Sequence, residues 1–361
     1  MRLELQGVSH RYGDERAVEE VSLGVEAGEL VGLLGPSGCG KTTLVQAIAG
    51  HVRPTAGRVL LRGEDVTDDP PETRSVGVVF QRSTLFPHMT VRENVAYGLT
   101  RQGTDRITAC LDLVALDEQR AAYPAELSGG QRRRAELARA LAPRPDILLL
   151  DEPLSALDRT LRDRLRDEIA RIQRETGVTT LFVTHDQTDA MALADRLVIL
   201  EAGRIAGVDR PRELYHSPPT RFVASFLGRS NSLTATVVGV DPPAVALGDT
   251  RVTTPELSGT EDLEPGATVT CHVRPEHIVL SNTGGATPAD TGFPDSLRNA
   301  EEKLLTLAGE VTRVTDVGHH YDVTVQSETG TALLVETATA PPPPGASVTL
   351  GVARDSLTVF D

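Results

Sequence analysis

Gly35-Pro36-Ser37-Gly38-Cys39-Gly40-Lys41-Thr42-Thr43 fits the spacing Gly-x-x-x-x-Gly-Lys-Ser/Thr and directly follows a mostly apolar run at residues 29–34. A strand that delivers the chain to a glycine-rich turn, continued by a helix-forming run at residues 43–49, gathers backbone N–H groups around a helix N-terminus. That arrangement favours a phosphate. Lys41 is placed to reach the outer phosphates of such a ligand, and the Thr42 hydroxyl suits Mg²⁺. A chance glycine-rich turn would not combine the preceding strand, the following helix and the full spacing. Only two of the 36 basic residues are lysines, Lys41 and Lys303, so a lysine inside the loop is not incidental. A compact ammonium suits a phosphate pocket better than a broad guanidinium.

The chain has 361 residues and a formal net charge of −15. Its length predicts two or three domains. Its charge argues against nucleic acid as a main partner, because phosphate-backbone binding needs a concentrated basic surface. The longest apolar stretches, such as residues 147–150, fall far short of the roughly 18–20 residues a membrane-crossing helix needs. Leu3, Leu5 and Val8 alternate with polar residues as in a strand rather than a secretory leader, so a cytoplasmic protein is expected. Cys39, Cys110 and Cys271 are scattered without metal-ligand spacing and read as reduced thiols.

Working outward from the loop, short strands are predicted at residues 3–8, 18–25 and 29–34, with turns at Gly13-Asp14 and Ala27-Gly28. Tyr12 precedes the loop, where an aromatic ring suits either stacking on a base or an ordinary sheet edge. Further strands are predicted at 58–62 and 75–80. The second ends on Gln81, and a polar residue at the C-terminal end of an α/β strand points into the ligand crevice. Residues 91–122 are mostly helical and read as an insertion between strands. Leu127-Ser128-Gly129-Gly130-Gln131 then opens the helix-forming run 132–141. Ser128 is either a plain cap or, with Gly129 and Gly130, part of a second phosphate-accessible helix start.

Ile147-Leu-Leu-Leu-Asp151-Glu152 reads as a buried parallel strand ending in two carboxylates. Asp151 at the tip suits Mg²⁺, and Glu152 can orient or deprotonate an attacking water. Ser155-Ala-Leu-Asp158 turns the chain into a helix over 161–176. A core strand at 178–183 then ends at Thr184-His185-Asp186, placing His185 on the same sheet edge as Lys41 and Asp151, where a γ-phosphate contact competes with a structural role.

Together these stretches resemble the ATP-binding cassette (ABC) ATPases across residues 1–230. The resemblance implies an α/β P-loop NTPase domain with a helical subdomain at about residues 88–142. It makes Tyr12 the adenine-stacking aromatic, Gly35 to Thr42 the Walker A loop and Gln81 the Q-loop glutamine. Leu127 to Gln131 become the family signature, Asp151 and Glu152 the Walker B pair, Ser155 to Asp158 the D-loop and His185 the switch histidine. Lys41, Glu152 and His185 are the implied catalytic residues. ATP is implied to contact Tyr12, Gly35 to Thr43, Gln81, Ser128 to Gln131 and Asp158, with Thr42, Gln81 and Asp151 about Mg²⁺. In this family the signature of one subunit caps ATP held by the loop of another, which accounts for two phosphate-accessible helix starts.

Residues 203–231 resemble the linker of importer ATPases that carry an extra C-terminal domain. Beyond it, residues 231–361 turn to short Val/Thr-rich strands separated by Gly/Pro turns such as Pro341-Pro-Pro-Pro-Gly345, the pattern of a small all-β barrel. Val273-Arg-Pro-Glu-His-Ile278 and Leu357-Thr-Val-Phe-Asp361 resemble the OB-like TOBE domain. A Gly/Thr/Asp-rich insert at 282–304 reads as a mobile loop. His319-His320 carries no metal assignment, since neighbours on a strand face opposite ways.

The resemblance implies an ATP-hydrolysing importer subunit at the cytoplasmic face of the membrane. Its implied partners are membrane permease subunits, a second ATPase copy and an extracytoplasmic solute-binding protein. Phe226-Leu-Gly-Arg-Ser-Asn231 is nearer the polyamine, ferric-ion and oxyanion branches than the sugar branch. Two other classes compete: a soluble repair or translation ATPase, which predicts a second cassette, a coiled-coil insertion or a basic surface, and a barrel domain acting as an independent ligand sensor.

Overall fold

A computed structural model of the chain describes residues 1–99, 104–155, 158–240, 243–247, 250–253, 264–281 and 304–360. These divide into two compact units, Met1–Arg212 and Glu213–Asp361. The first unit runs β1 (Leu3–Tyr12), β2 (Glu15–Val25), β3 (Leu30–Leu34), α1 (Lys41–Ala49), β4 (Ala56–Leu61), β5 (Glu64–Asp65), β6 (Val76–Val79) and α2 (Val91–Ala96). It continues through α3 (Thr104–Leu113), α4 (Gly129–Leu141), β7 (Ile147–Asp151), α5 (Arg159–Thr176), β8 (Thr179–Thr184), α6 (Gln187–Leu193), β9 (Arg196–Glu201) and β10 (Arg204–Asp209).

Two sheets share its core. One is antiparallel, in the order β2-β1-β4-β5, and the other runs β10-β9-β3-β8-β7-β6, parallel except where β10 returns along β9. Every residue of β3 and β8 is buried, and so is β7 up to Asp151. Strands covered on both faces are apolar along their whole length rather than alternating. Register then fixes where the functional ends fall. Leu34 lies opposite Thr184, Asp151 opposite Val183 and Val79 opposite Leu150. The residues that follow β3, β6, β7 and β8 therefore emerge along one edge. The stretch read as helical from 91 onward holds α2, α3 and single 3-10 turns at Asp117–Gln119 and Pro124–Glu126. Among the described residues no helix is long and apolar enough to cross a membrane.

The second unit opens with α7 (Pro211–His216, which straddles the division) and α8 (Arg221–Phe226). It continues with β11 (Asn231–Val240), β12 (Pro243–Leu247), β13 (Thr250–Thr253), β14 (Thr268–Val273), β15 (Ile278–Ser281), β16 (Leu304–Asp316), β17 (Tyr321–Ser327), β18 (Ala332–Thr337), β19 (Ser347–Ala353) and β20 (Thr358–Phe360). They form two five-stranded antiparallel sheets, β13-β12-β11-β14-β20 and β15-β19-β16-β17-β18. Alternate residues of β11 are buried, and Leu233, Ala235 and Val237 share one core with Leu307, Val325 and Leu350 of the other sheet. The insert at 282–304 lies outside the described residues except for its last one.

His319 and His320 sit in the turn after β16 rather than on a strand, so the opposite-faces argument does not apply to them. His320, Asp322 and Glu336 bring donor atoms within 4.8 Å of one another. Arg229 pairs with both carboxylates, so the protein's own guanidinium meets their charge.

His272 of β14 is 4% exposed, and its Nε2 is buried without a partner. Burial first, and the nearby Arg274 charge second, push its pKa from 6.5 down to about 4. The folded state therefore holds this ring neutral where the unfolded chain would protonate it. The stabilisation is complete above pH 6.5 and is lost as pH falls toward 4, by about 3 kcal/mol at full effect. Melting temperatures of the second unit's transition should fall less steeply between pH 6.5 and 4 in His272→Gln than in the native chain. Equal slopes would assign the acid sensitivity to other groups.

Candidate active site

The glycine-rich turn joins β3 to α1. Gly40 adopts φ 102°, and a Cβ there would stand 2.2 Å from the Ala17 carbonyl oxygen, so neither the backbone angle nor the space admits another residue. Pro36, Ser37, Gly38 and Thr42 are exposed, whereas Cys39 and Thr43 turn into the core. Gly35 is buried at the strand exit. Lys41 is 7% exposed, and its Nζ donates to the carbonyls of Gly35 (2.7 Å) and Pro36 (2.8 Å). The ammonium is thus held by the loop itself, with its third N–H toward Cys39 Sγ at 3.6 Å, and an outer phosphate could take that third donor without either carbonyl being released. Tyr12 is half exposed, packs edge-on to His10 at 4.6 Å and donates its hydroxyl to Gln46 Oε1 of α1 at 3.4 Å.

Glu152 follows the last residue of β7 in the left-handed region, φ 46°. A non-glycine residue there costs on the order of 1–3 kcal/mol, and such strain gathers at functional sites. Gln81 Nε2 donates to Glu152 Oε2 at 2.6 Å, and His185 Nδ1 lies 3.0 Å from Glu152 Oε1. That second contact places a proton on Nδ1 when Glu152 is ionised. Three residues from three strand ends therefore meet on one carboxylate. Each of its oxygens has one such partner and keeps a second lone pair, so Glu152 can accept from a water while both contacts stay in place. Asp151 beside it has a raised pKa, first from burial and then from the Glu152 charge, with Arg133 and Lys41 opposing.

At the second helix start, Ser128 Oγ accepts from the Gln131 N–H (3.2 Å), and Gln131 Oε1 accepts from the Ser128 N–H (2.9 Å). Both side chains are thus a capping box for α4. Gly130 is buried against Leu161, but a Cβ on exposed Gly129 would meet nothing within 4 Å. Among the described residues nothing requires glycine at 129. A surface laid against α4 by another molecule would. Asp158 Oδ1 accepts from the Leu161 N–H at 3.0 Å, capping α5, and Ser155 Oγ donates to the Glu152 carbonyl at 2.9 Å. Ala156 and Leu157 between them lie outside the described residues.

Behind the Gln81–Glu152 contact lie two buried charges of α4, Arg133 and Glu136, which the sequence reading passed over. Their i, i+3 spacing toward the apolar side of the helix is the only signal the sequence offered.

The chain is similar to known proteins along most of its length. Residues 18–155 match the ABC transporter family and residues 271–360 the TOBE domain. The chain is 48% identical over 283 residues to a spermidine/putrescine import ATP-binding protein of Acidothermus cellulolyticus, covering 76% of this chain and 73% of that one. It is 46% identical to a sulfate/thiosulfate import ATP-binding protein of Chromobacterium violaceum, covering 77% and 75% respectively. A dimeric ATP-binding cassette solved in a post-hydrolysis state with ADP and Pi superposes with a TM-score of 0.51 at 30% identity, over 58% of this chain and 99% of that one. Fold, motif order and relatives agree that this is an ATP-hydrolysing importer subunit. The chain belongs to the importer-type ABC transporter ATPases that carry a C-terminal TOBE domain.

Proposed function

We propose that this chain drives uptake of a polyamine or a small ion, with Glu152, Gln81 and His185 forming the hydrolytic group. The observation that carries the proposal is their convergence, at 2.6 and 3.0 Å, beside the glycine-rich turn. Glu152 aligns the attacking water and accepts its proton, His185 holds the carboxylate and meets the γ-phosphate, and Lys41 draws charge from the leaving phosphates. Tyr12 stacks on the adenine, the N–H groups of residues 35–43 cradle the phosphates, and Ser128 to Gln131 with Asp158 of a second copy close over them.

Thr42, Asp151 and Gln81 offer an oxygen-only donor set, with Thr42 exposed and Asp151 at a strand tip, and this fits a hard divalent cation. Bound there, Mg²⁺ would neutralise charge developing on the phosphates. Residues 1–230 act as the cassette and 231–361 as its regulatory domain. Two copies pair head to tail at the cytoplasmic face beneath permease subunits, and a solute-binding protein delivers cargo from the other side.

Relatives named for spermidine/putrescine and for sulfate/thiosulfate support this cargo class. When the chain is reconstituted with its neighbouring permease and binding protein in vesicles, ATP should drive uptake of labelled spermidine, putrescine, sulfate, molybdate or ferric ion. Uptake of maltose with none of these would overturn the cargo assignment.

A further inference from the structure

We infer that Arg133 is a positioning residue for hydrolysis, holding from the signature helix the two strand ends that present Gln81 and Glu152. The inference rests on the reading of those two residues as parts of the hydrolytic site. Arg133 is 8% exposed and spends its guanidinium on five acceptors. Nε donates to the Pro153 carbonyl at 3.1 Å, and Nη1 to the Phe80 carbonyl at 2.5 Å and to Glu136 Oε2 at 2.9 Å. Nη2 lies 3.4 and 3.3 Å from the carbonyls of Asp151 and Glu152. Glu136, 3% exposed, accepts from the Thr84 N–H through its other oxygen at 3.1 Å.

Gln81 is thereby fixed from both sides, through Phe80 before it and Thr84 after it. Glu152 is fixed through its own carbonyl and those of Asp151 and Pro153. These are the two residues whose side chains meet at 2.6 Å. The planar fork of a guanidinium can serve several acceptors on two strand ends at once, and an ammonium cannot. All these bonds originate on α4, one turn beyond Ser128, so a shift of that helix carries both strand ends with it.

An ion pair that served only itself could be exchanged for packed apolar residues with little change in stability and none in kcat. In the full chain, Arg133→Met/Glu136→Leu should lower the melting temperature, because the four carbonyls and the Thr84 N–H lose their partner, yet keep the ATP Kd within about threefold while kcat falls by about 20-fold or more. Arg133→Lys keeps the Glu136 pair but has one nitrogen for five acceptors. It should show the same split at about 5- to 10-fold in kcat, which serves if the double variant does not fold. A kcat within threefold of native, or a loss matched by an equal loss of ATP affinity, overturns the positioning role. Glu152→Gln measured alongside separates the two failures. Normal turnover there overturns the site reading, whereas a large loss there with normal turnover in the Arg133 variants overturns the positioning role alone.

Discussion

Glu152→Gln should bind ATP with Mg²⁺ normally and hydrolyse it about 10²- to 10⁴-fold more slowly, the usual consequence of losing a positioned base. The replacement keeps the size of the side chain and can still accept from His185. It cannot take a proton from water. Its NH₂ group also sets a donor against the Gln81 donor, so the 2.6 Å contact of the native pair has to turn over or open. With chemistry blocked and binding intact, ATP-loaded chains should accumulate as closed pairs on size exclusion. Steady-state turnover and nucleotide titration on the same preparation separate the two steps. Turnover near that of the native chain would remove Glu152 from the reaction.

The parallel sheet was legible because its strands announce themselves. Leu30–Leu34, Ile147–Asp151 and Thr179–Thr184 are short apolar or β-branched runs, the first followed at once by the glycine-rich turn and the other two by polar residues. Spacing alone then pointed to Gly35 through Thr43, Gln81, Asp151, Glu152 and His185 as one group, because every candidate lay just past a predicted strand. What the sequence could not supply was their mutual geometry. That Gln81 and His185 share the two oxygens of Glu152 depends on strand order β3-β8-β7-β6 and on register, and neither is written locally.

Side-chain roles were least legible on the charge-rich helices. Nothing within the run Arg132-Arg133-Arg134 sets one arginine apart, yet Arg133 is buried while Arg132 and Arg134 are partly exposed. Only packing against the ends of β6 and β7 distinguishes them. Ser128 and Asp158 satisfy their own helix starts, as serine and aspartate commonly do, so the part toward nucleotide proposed for them depends on the second copy also proposed. The argument that His319 and His320 face opposite ways supposed a strand, whereas Gly318 at φ 95° turns the chain there.

The second large effect concerns whether the two helix starts meet across copies. Lys41→Ala removes the ammonium buried under the loop, and Ser128→Arg fills the approach to α4 beside open Gly129 while removing a cap that contributes about 1 kcal/mol. Each variant alone should lose ATP-dependent pairing and nearly all turnover, because both sites of its homodimer carry the same defect. In a mixed pair one site combines both defects, and the other combines an intact loop with an intact helix start. The deciding measurement is therefore ATP-dependent association of two differently tagged chains, one Lys41→Ala and the other Ser128→Arg, beside a native control. Association of the mixture, absent from either variant alone, is the result a shared site predicts. A mixture that stays apart where the native chains associate under the same conditions would contradict it.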